Sequence, residues 1–119
     1  MPLFRIETNV PKSKVPDDFL KTTSKLIAKV LSKPESYCAV LIVPEQMMSF
    51  GGSTEPTGQA SLMSIGQLGV AQNKVISAAL FKHIEETLGI PQNRMYITFT
   101  DSPTSVVGYQ GTTFHEIFG

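Results

Sequence analysis

Leu31-Ser32-Lys33-Pro34-Glu35-Ser36-Tyr37-Cys38-Ala39-Val40-Leu41-Ile42-Val43 is the stretch in which the chain changes its hydrophobic period. Upstream of it, Leu20, Thr23, Ile27, Val30 and Leu31 recur at helical spacing, and Pro16-Asp17-Asp18 places carboxylates where the positive end of a helix begins. The helix ends before Pro34, since proline disfavours helical geometry in the residue ahead of it. Cys38 to Val43 then forms a continuous apolar run, the pattern of a strand buried on both faces. Further upstream, Leu3-Phe4-Arg5-Ile6-Glu7-Thr8 reads as a strand closed by the turn-forming Asn9-Val10-Pro11. The first half is therefore β-α-β.

The second half repeats it. Gln59 to Ile65 reads as a strand, and Val70 to Leu88 as a helix with Ile76, Leu80, Ile84 and Leu88 four apart. Gly89 closes that helix and Pro91 precedes the strand Met95-Tyr96-Ile97-Thr98-Phe99-Thr100. The junction Leu88-Gly89-Ile90-Pro91 matches Leu31-Ser32-Lys33-Pro34, so an internal duplication is expected. Two such units predict an α/β fold: parallel pairing, right-handed crossovers, and a four-stranded sheet with both helices on one face. The opposite face then needs cover, and another subunit is its simplest source.

With 119 residues, 41% hydrophobic and 17% charged, the chain reads as one soluble domain over residues 1–119. No run of about 18 apolar residues suits a bilayer, so no membrane partner is expected. Ten basic and ten acidic residues balance, without a Lys/Arg cluster of the kind nucleic-acid binders carry. No basic and apolar leader opens the chain, so the expected compartment is the cytoplasm. The single Cys38 excludes an intrachain disulfide and reads as a buried small hydrophobe. Together with His83 and His115 it makes no zinc-ligand set, so neither a metal nor any other cofactor is expected.

Pro2 is the first candidate for chemistry. If Met1 is removed, the chain begins with a secondary amine, and desolvation or a nearby cation would keep such an amine unprotonated at neutral pH. The plainer reading of Met1-Pro2 is N-terminal processing alone. Lys33 stands where a cation would face a negative helix end, with or without further use. Ser64-Ile65-Gly66 ends a strand, where an amide could face an anion or the glycine could simply stop the strand. Tyr96 and Thr98 alternate onto one strand face, opposite Met95, Ile97 and Phe99. Ser49-Phe50-Gly51-Gly52-Ser53 lacks the lysine and spacing of a phosphate loop and reads as a turn.

The order of these features along the chain resembles the macrophage migration inhibitory factor family of the tautomerase superfamily. The resemblance rests on Met1-Pro2, Thr8-Asn9-Val10-Pro11, Lys33-Pro34 with Tyr37, Phe50-Gly51-Gly52-Ser53, Ser64-Ile65-Gly66, Tyr96-Ile97, and Val107-Gly108 with Thr113-Phe114. It implies a homotrimeric barrel with sites at subunit boundaries, acting on phenylpyruvate or dopachrome-like compounds. In such a site Pro2 is the base, while Lys33 and the amide of Ile65 receive the developing oxyanion. Tyr37, Val107, Tyr109 and Phe114 meet the aryl end of a small aromatic keto acid, Tyr96 comes from the neighbouring subunit to help position it, and Thr98 is a further substrate-binding position. Tyr109 stands where tryptophan is common, and Thr98 where asparagine is. The family's Cys-x-x-Cys is Thr57-Gly58-Gln59-Ala60 here, which removes both thiols of an exchange reaction. Residues 115–119 extend past the usual end, and Ile117 and Phe118 either dock at a subunit boundary, altering access to the pocket, or fray. The resemblance also implies a cytokine-like alternative: export without a signal peptide, a cell-surface receptor, and a pocket that is secondary or inactive.

Overall fold

A computed structural model describes residues 1–118; Gly119, the end of the expected tail, lies outside it. The main elements are β1 (Leu3–Thr8), α1 (Phe19–Leu31), β2 (Ala39–Val43), β3 (Gly58–Ser64), α2 (Val70–Leu88) and β4 (Met95–Asp101). A small hairpin, β5 (Gly108–Tyr109) and β6 (Thr112–Thr113), leads into α3 (Phe114–Phe118).

The four long strands form one sheet in the order β2-β1-β3-β4. Pairing is parallel within each β-α-β unit, β1 with β2 and β3 with β4, as the repeats predict. The two units meet antiparallel through β1 and β3, so the sheet is mixed. Its register sets two apolar rows under the helices, Val40-Phe4-Leu62-Phe99 and Ile42-Ile6-Ala60-Ile97. Phe4, Ile6 and Leu62 in the central strands are wholly buried. From above, α1 buries Phe19, Thr23, Ile27 and Leu31, and α2 buries Ile76, Leu80, Ile84 and Leu88, each at i+4 spacing that keeps one stripe on the sheet.

Two expectations change. Leu20, placed on the buried stripe of α1, is 49% exposed, because the helix turns Phe19 inward instead. The apolar run of β2 is not buried on both faces: β2 is an edge strand, and Ala39 and Leu41 point to the uncovered side of the sheet. Leu3, Arg5, Gln59, Tyr96 and Thr98 share that side.

The duplication is visible in the backbone. Ser32 and Gly89 both cap their helices in the left-handed region, at φ 52° and 72°. Each is followed by one residue, a proline, a single 3-10 turn (Glu35–Tyr37 or Gln92–Arg94) and a strand. The late hairpin went unforeseen; its Gln110-Gly111 turn has φ 54° and 79°, the mirror-image turn that suits strand twist.

Candidate active site

The site collects at the end of the sheet where β1 begins. Pro2 is buried, and its carbonyl accepts the Ala39 N–H at 3.0 Å, which fixes the first residues of the chain to the start of β2. In this structure the N-terminal amine belongs to Met1 and stands in for the amine that Pro2 would carry after processing. Burial pushes it below the ordinary 8.0, the positive charge of Lys33 pushes it further, and the Cys38 sulfur works in the opposite direction. The thiol of Cys38, half-buried rather than fully inside, is itself raised, first by burial.

Lys33 arrives there because of how α1 ends. The left-handed Ser32 lets the Lys33 N–H close on Ala28 O at 3.0 Å, turning the chain back across the helix end. Its ammonium donates to the carbonyl oxygen of Ile65 at 2.7 Å. That contact uses the oxygen of Ile65, whereas the sequence points to its amide. An ammonium has three donors, so two remain for a ligand.

The turn carrying Ile65 is held on several sides. Ser64 Oγ donates to Gly66 O at 2.8 Å, the Ser102 N–H reaches Ser64 O at 2.9 Å, and the Gly66 N–H reaches Asp101 Oδ1 at 2.9 Å. Gly66 has φ 78°, which a side chain would strain. Asp101 was missed from sequence; its signal is the parallel register that sets it opposite Ser64.

Beyond Lys33 lies an aromatic cluster. The rings of Tyr109 and Phe114 stack at 5.1 Å and 8°, and Phe114 and Phe118 at 5.4 Å and 13°. Tyr37 stands edge-on to all three, with centroids at 5.6, 6.0 and 6.4 Å. Phe114 is thereby fully buried, and its N–H is held by Val107 O at 3.1 Å. The extra C-terminal residues are helical through Phe118 and join this cluster.

Tyr96 and Thr98 are not in this group. Tyr96 pairs with Gln59, and Gln59 with Glu7, at the other end of β1. Five residues at about 3.3 Å and two strand spacings of about 4.8 Å put Pro2 and Tyr96 roughly 19 Å apart. Tyr96 is 69% exposed and rests on Phe50 at 5.2 Å, while Thr98 Oγ1 reaches Ala60 O at 3.5 Å. Phe50 lies in the expected glycine turn, closed by reciprocal Phe50–Ser53 bonds of 2.9 and 3.0 Å. Arg94, another residue not picked out from sequence, secures that loop by donating to the carbonyls of Phe50, Ser53, Glu55 and Pro56.

A duplicated β-α-β chain with both helices on one face of a four-stranded mixed sheet has the α/β fold of the tautomerase superfamily. The chain belongs to the macrophage migration inhibitory factor family: the family's model matches residues 1–115. It is 54% identical over 114 residues to the macrophage migration inhibitory factor homolog of Trichuris trichiura, covering 96% of this chain and all of that one. Against the Xenopus tropicalis macrophage migration inhibitory factor it is 46% identical over 114 residues, or 96% of this chain and 99% of the other. The solved structure of the Trichinella spiralis macrophage migration inhibitory factor superposes with TM-score 0.93 at 49% identity, covering 94% of this chain and 99% of that one.

Proposed function

We propose that this protein is a tautomerase in which the N-terminal amine, borne by Pro2 once Met1 is removed, moves a proton on an aromatic 2-oxo acid such as phenylpyruvate or on a dopachrome-like compound. One observation carries the reading: Lys33, tethered at 2.7 Å to Ile65 O, stands close enough to the amine to lower its proton affinity in an already desolvated place. The unprotonated amine takes a proton from the carbon beside the carbonyl. The electron pair left behind forms the enolate, and the Lys33 ammonium receives the negative charge on oxygen. Return of the proton to that oxygen gives the enol and frees the amine. Ile65, through its amide, lines the same end of the pocket. Tyr37, Val107 and Tyr109 meet the aryl group, with Phe114 behind them.

The active assembly in this reading is a homotrimer. It is supported by the bare sheet face, by the free edge of β2, and by the distance of Tyr96 and Thr98 from Pro2 in one chain. Those two residues would complete a neighbour's site. The test compares phenylpyruvate turnover by the processed protein, by Pro2→Gly and by a form with one residue left ahead of Pro2. Both altered forms should lose most of kcat/KM; wild-type kcat/KM in either removes Pro2 as the base.

A second reading is a cytokine-like protein that leaves the cell and engages a receptor, favoured by the names of its relatives in Trichuris trichiura and Trichinella spiralis. Binding to receptor-bearing cells that persists in Pro2→Gly would separate signalling from catalysis.

A further inference from the structure

We propose that Phe118 is a specificity-determining residue whose exposed ring, in place of Phe114, is the surface that a substrate's aryl group meets. The inference rests on the tautomerase reading of the same site. Phe114 is 0% exposed, stacked on Tyr109 at 5.1 Å and on Phe118 at 5.4 Å, so no ligand reaches it without first opening the stack. Within one chain Phe118 is 64% exposed and Tyr109 36%, so these rings, rather than Phe114, are the aromatic surface the chain presents to a ligand at the subunit boundary.

Their position relative to the amine follows from Tyr37. Its turn connects Lys33-Pro34 to Ala39, whose N–H binds Pro2 O, and its ring stands edge-on to Phe118 at 72°. The rings are therefore tied through Tyr37 to the end of the sheet that holds Lys33 and Pro2. Edge-to-face and offset stacking at these separations favour a further aromatic ring over an aliphatic chain. The match to the family model stops at residue 115, so Phe118 lies outside the matched frame. Tyr109 and Phe118 together would make an aryl wall whose outer half is carried by α3.

The experiment uses the processed full chain with Phe118→Ala and Phe118→Leu, the second keeping apolar bulk without a ring. Phenylpyruvate and the aliphatic 2-oxobutyrate serve as substrates, and trans-cinnamate, which has no enolisable ketone, serves as a binding probe. In both variants KM for phenylpyruvate and Kd for cinnamate should rise roughly 2- to 10-fold. The kcat for phenylpyruvate and kcat/KM for 2-oxobutyrate should stay within about twofold. An unchanged or lowered KM for phenylpyruvate, or an equal loss with both substrates, overturns the proposal. Cinnamate binding that weakens in both variants of a protein without tautomerase activity would sink the tautomerase reading and uphold Phe118 as the aryl contact. Failure of the wild type to bind cinnamate overturns the Phe118 proposal.

Discussion

Replacing Lys33 by Met tests the centre of the proposed chemistry, because the two side chains have similar length and only the ammonium is lost. In the structure Lys33 donates to Ile65 O at 2.7 Å and its charge lowers the proton affinity of the N-terminal amine. Loss of one preorganised donor to a developing oxyanion typically costs about 100- to 1,000-fold in kcat. Folding loses much less: one half-buried hydrogen bond contributes about 1 kcal/mol, a fall of roughly 5 °C in Tm for a domain of this size. The variant should thus be folded and slow. The pH profile adds a sign. Without the neighbouring cation the amine binds its proton more readily, so the acidic limb of kcat/KM must move to higher pH. Lys33→Arg keeps that limb in place while recovering only part of the rate, since a planar guanidinium presents its donors in a different geometry. Steady-state phenylpyruvate kinetics across pH, with Tm measured on the same samples, decide the matter. A Met variant within about threefold of wild type, or an acidic limb that stays put, refutes the role given to Lys33.

Other perturbations reach different parts of the fold. His83, bonded to Thr23 Oγ1 at 2.8 Å between α1 and α2, is pushed below 6.5, first by burial and against the pull of Glu86 and Asp18. The unfolded chain then binds more protons than the folded one in the window below 6.5, so stability falls as pH drops through it. Urea midpoints of His83→Gln should be flatter between about pH 5 and pH 7.5, and an unaltered slope rejects the assignment. Arg94→Met removes four bonds to loop carbonyls, two of them exposed enough to be taken over by water. The expected loss is about 2 to 3 kcal/mol, seen as a Tm lower by roughly 10 °C, and a fall under about 3 °C would show the loop stands without it. Mixed assemblies of Pro2→Gly and Tyr96→Ala chains should regain roughly a quarter of the wild-type rate, because random pairing restores Pro2 and Tyr96 together at one site in four. No recovery on mixing, with heterotrimers present, would mean that the two residues do not act at a shared boundary.

The long elements were legible because each carried its own period. Ile76, Leu80, Ile84 and Leu88 mark the buried stripe of α2 by spacing alone, and Pro34 and Pro91 mark where helix gives way to strand. What the period leaves open is which of two adjacent apolar residues turns inward, hence Leu20 in place of Phe19. The strand β2 misled for a related reason. An apolar run says that a surface gets covered, without saying whether the cover comes from the same chain. Asp101 and Arg94 left no local signal at all, since their partners, Gly66 and the carbonyls of residues 50–56, are more than thirty residues away in sequence.

The duplication also explains why a single chain holds only part of the proposed site. Because β1 and β3 run antiparallel, the two helix-to-strand junctions lie at opposite ends of the sheet. In the first, the residue between the left-handed cap and the proline is Lys33, and its charge lowers the proton affinity of the N-terminal amine. In the second, the same place holds Ile90, 1% exposed in the core, and the turn that follows delivers Arg94 to the loop beneath Tyr96. One backbone frame has thus been given a charged use at one end and a packing use at the other. Within one sheet no side-chain rotation closes a gap of roughly 19 Å between Pro2 and Tyr96, since the strands that carry them are locked in register. In the proposed assembly a second copy of the chain, turned so that the start of its β4 meets the start of this β1, would close the gap without any change in either fold. Association in this reading is a condition for the Tyr96 contact, and dissociating the assembly should remove that contact while leaving the amine beside Lys33.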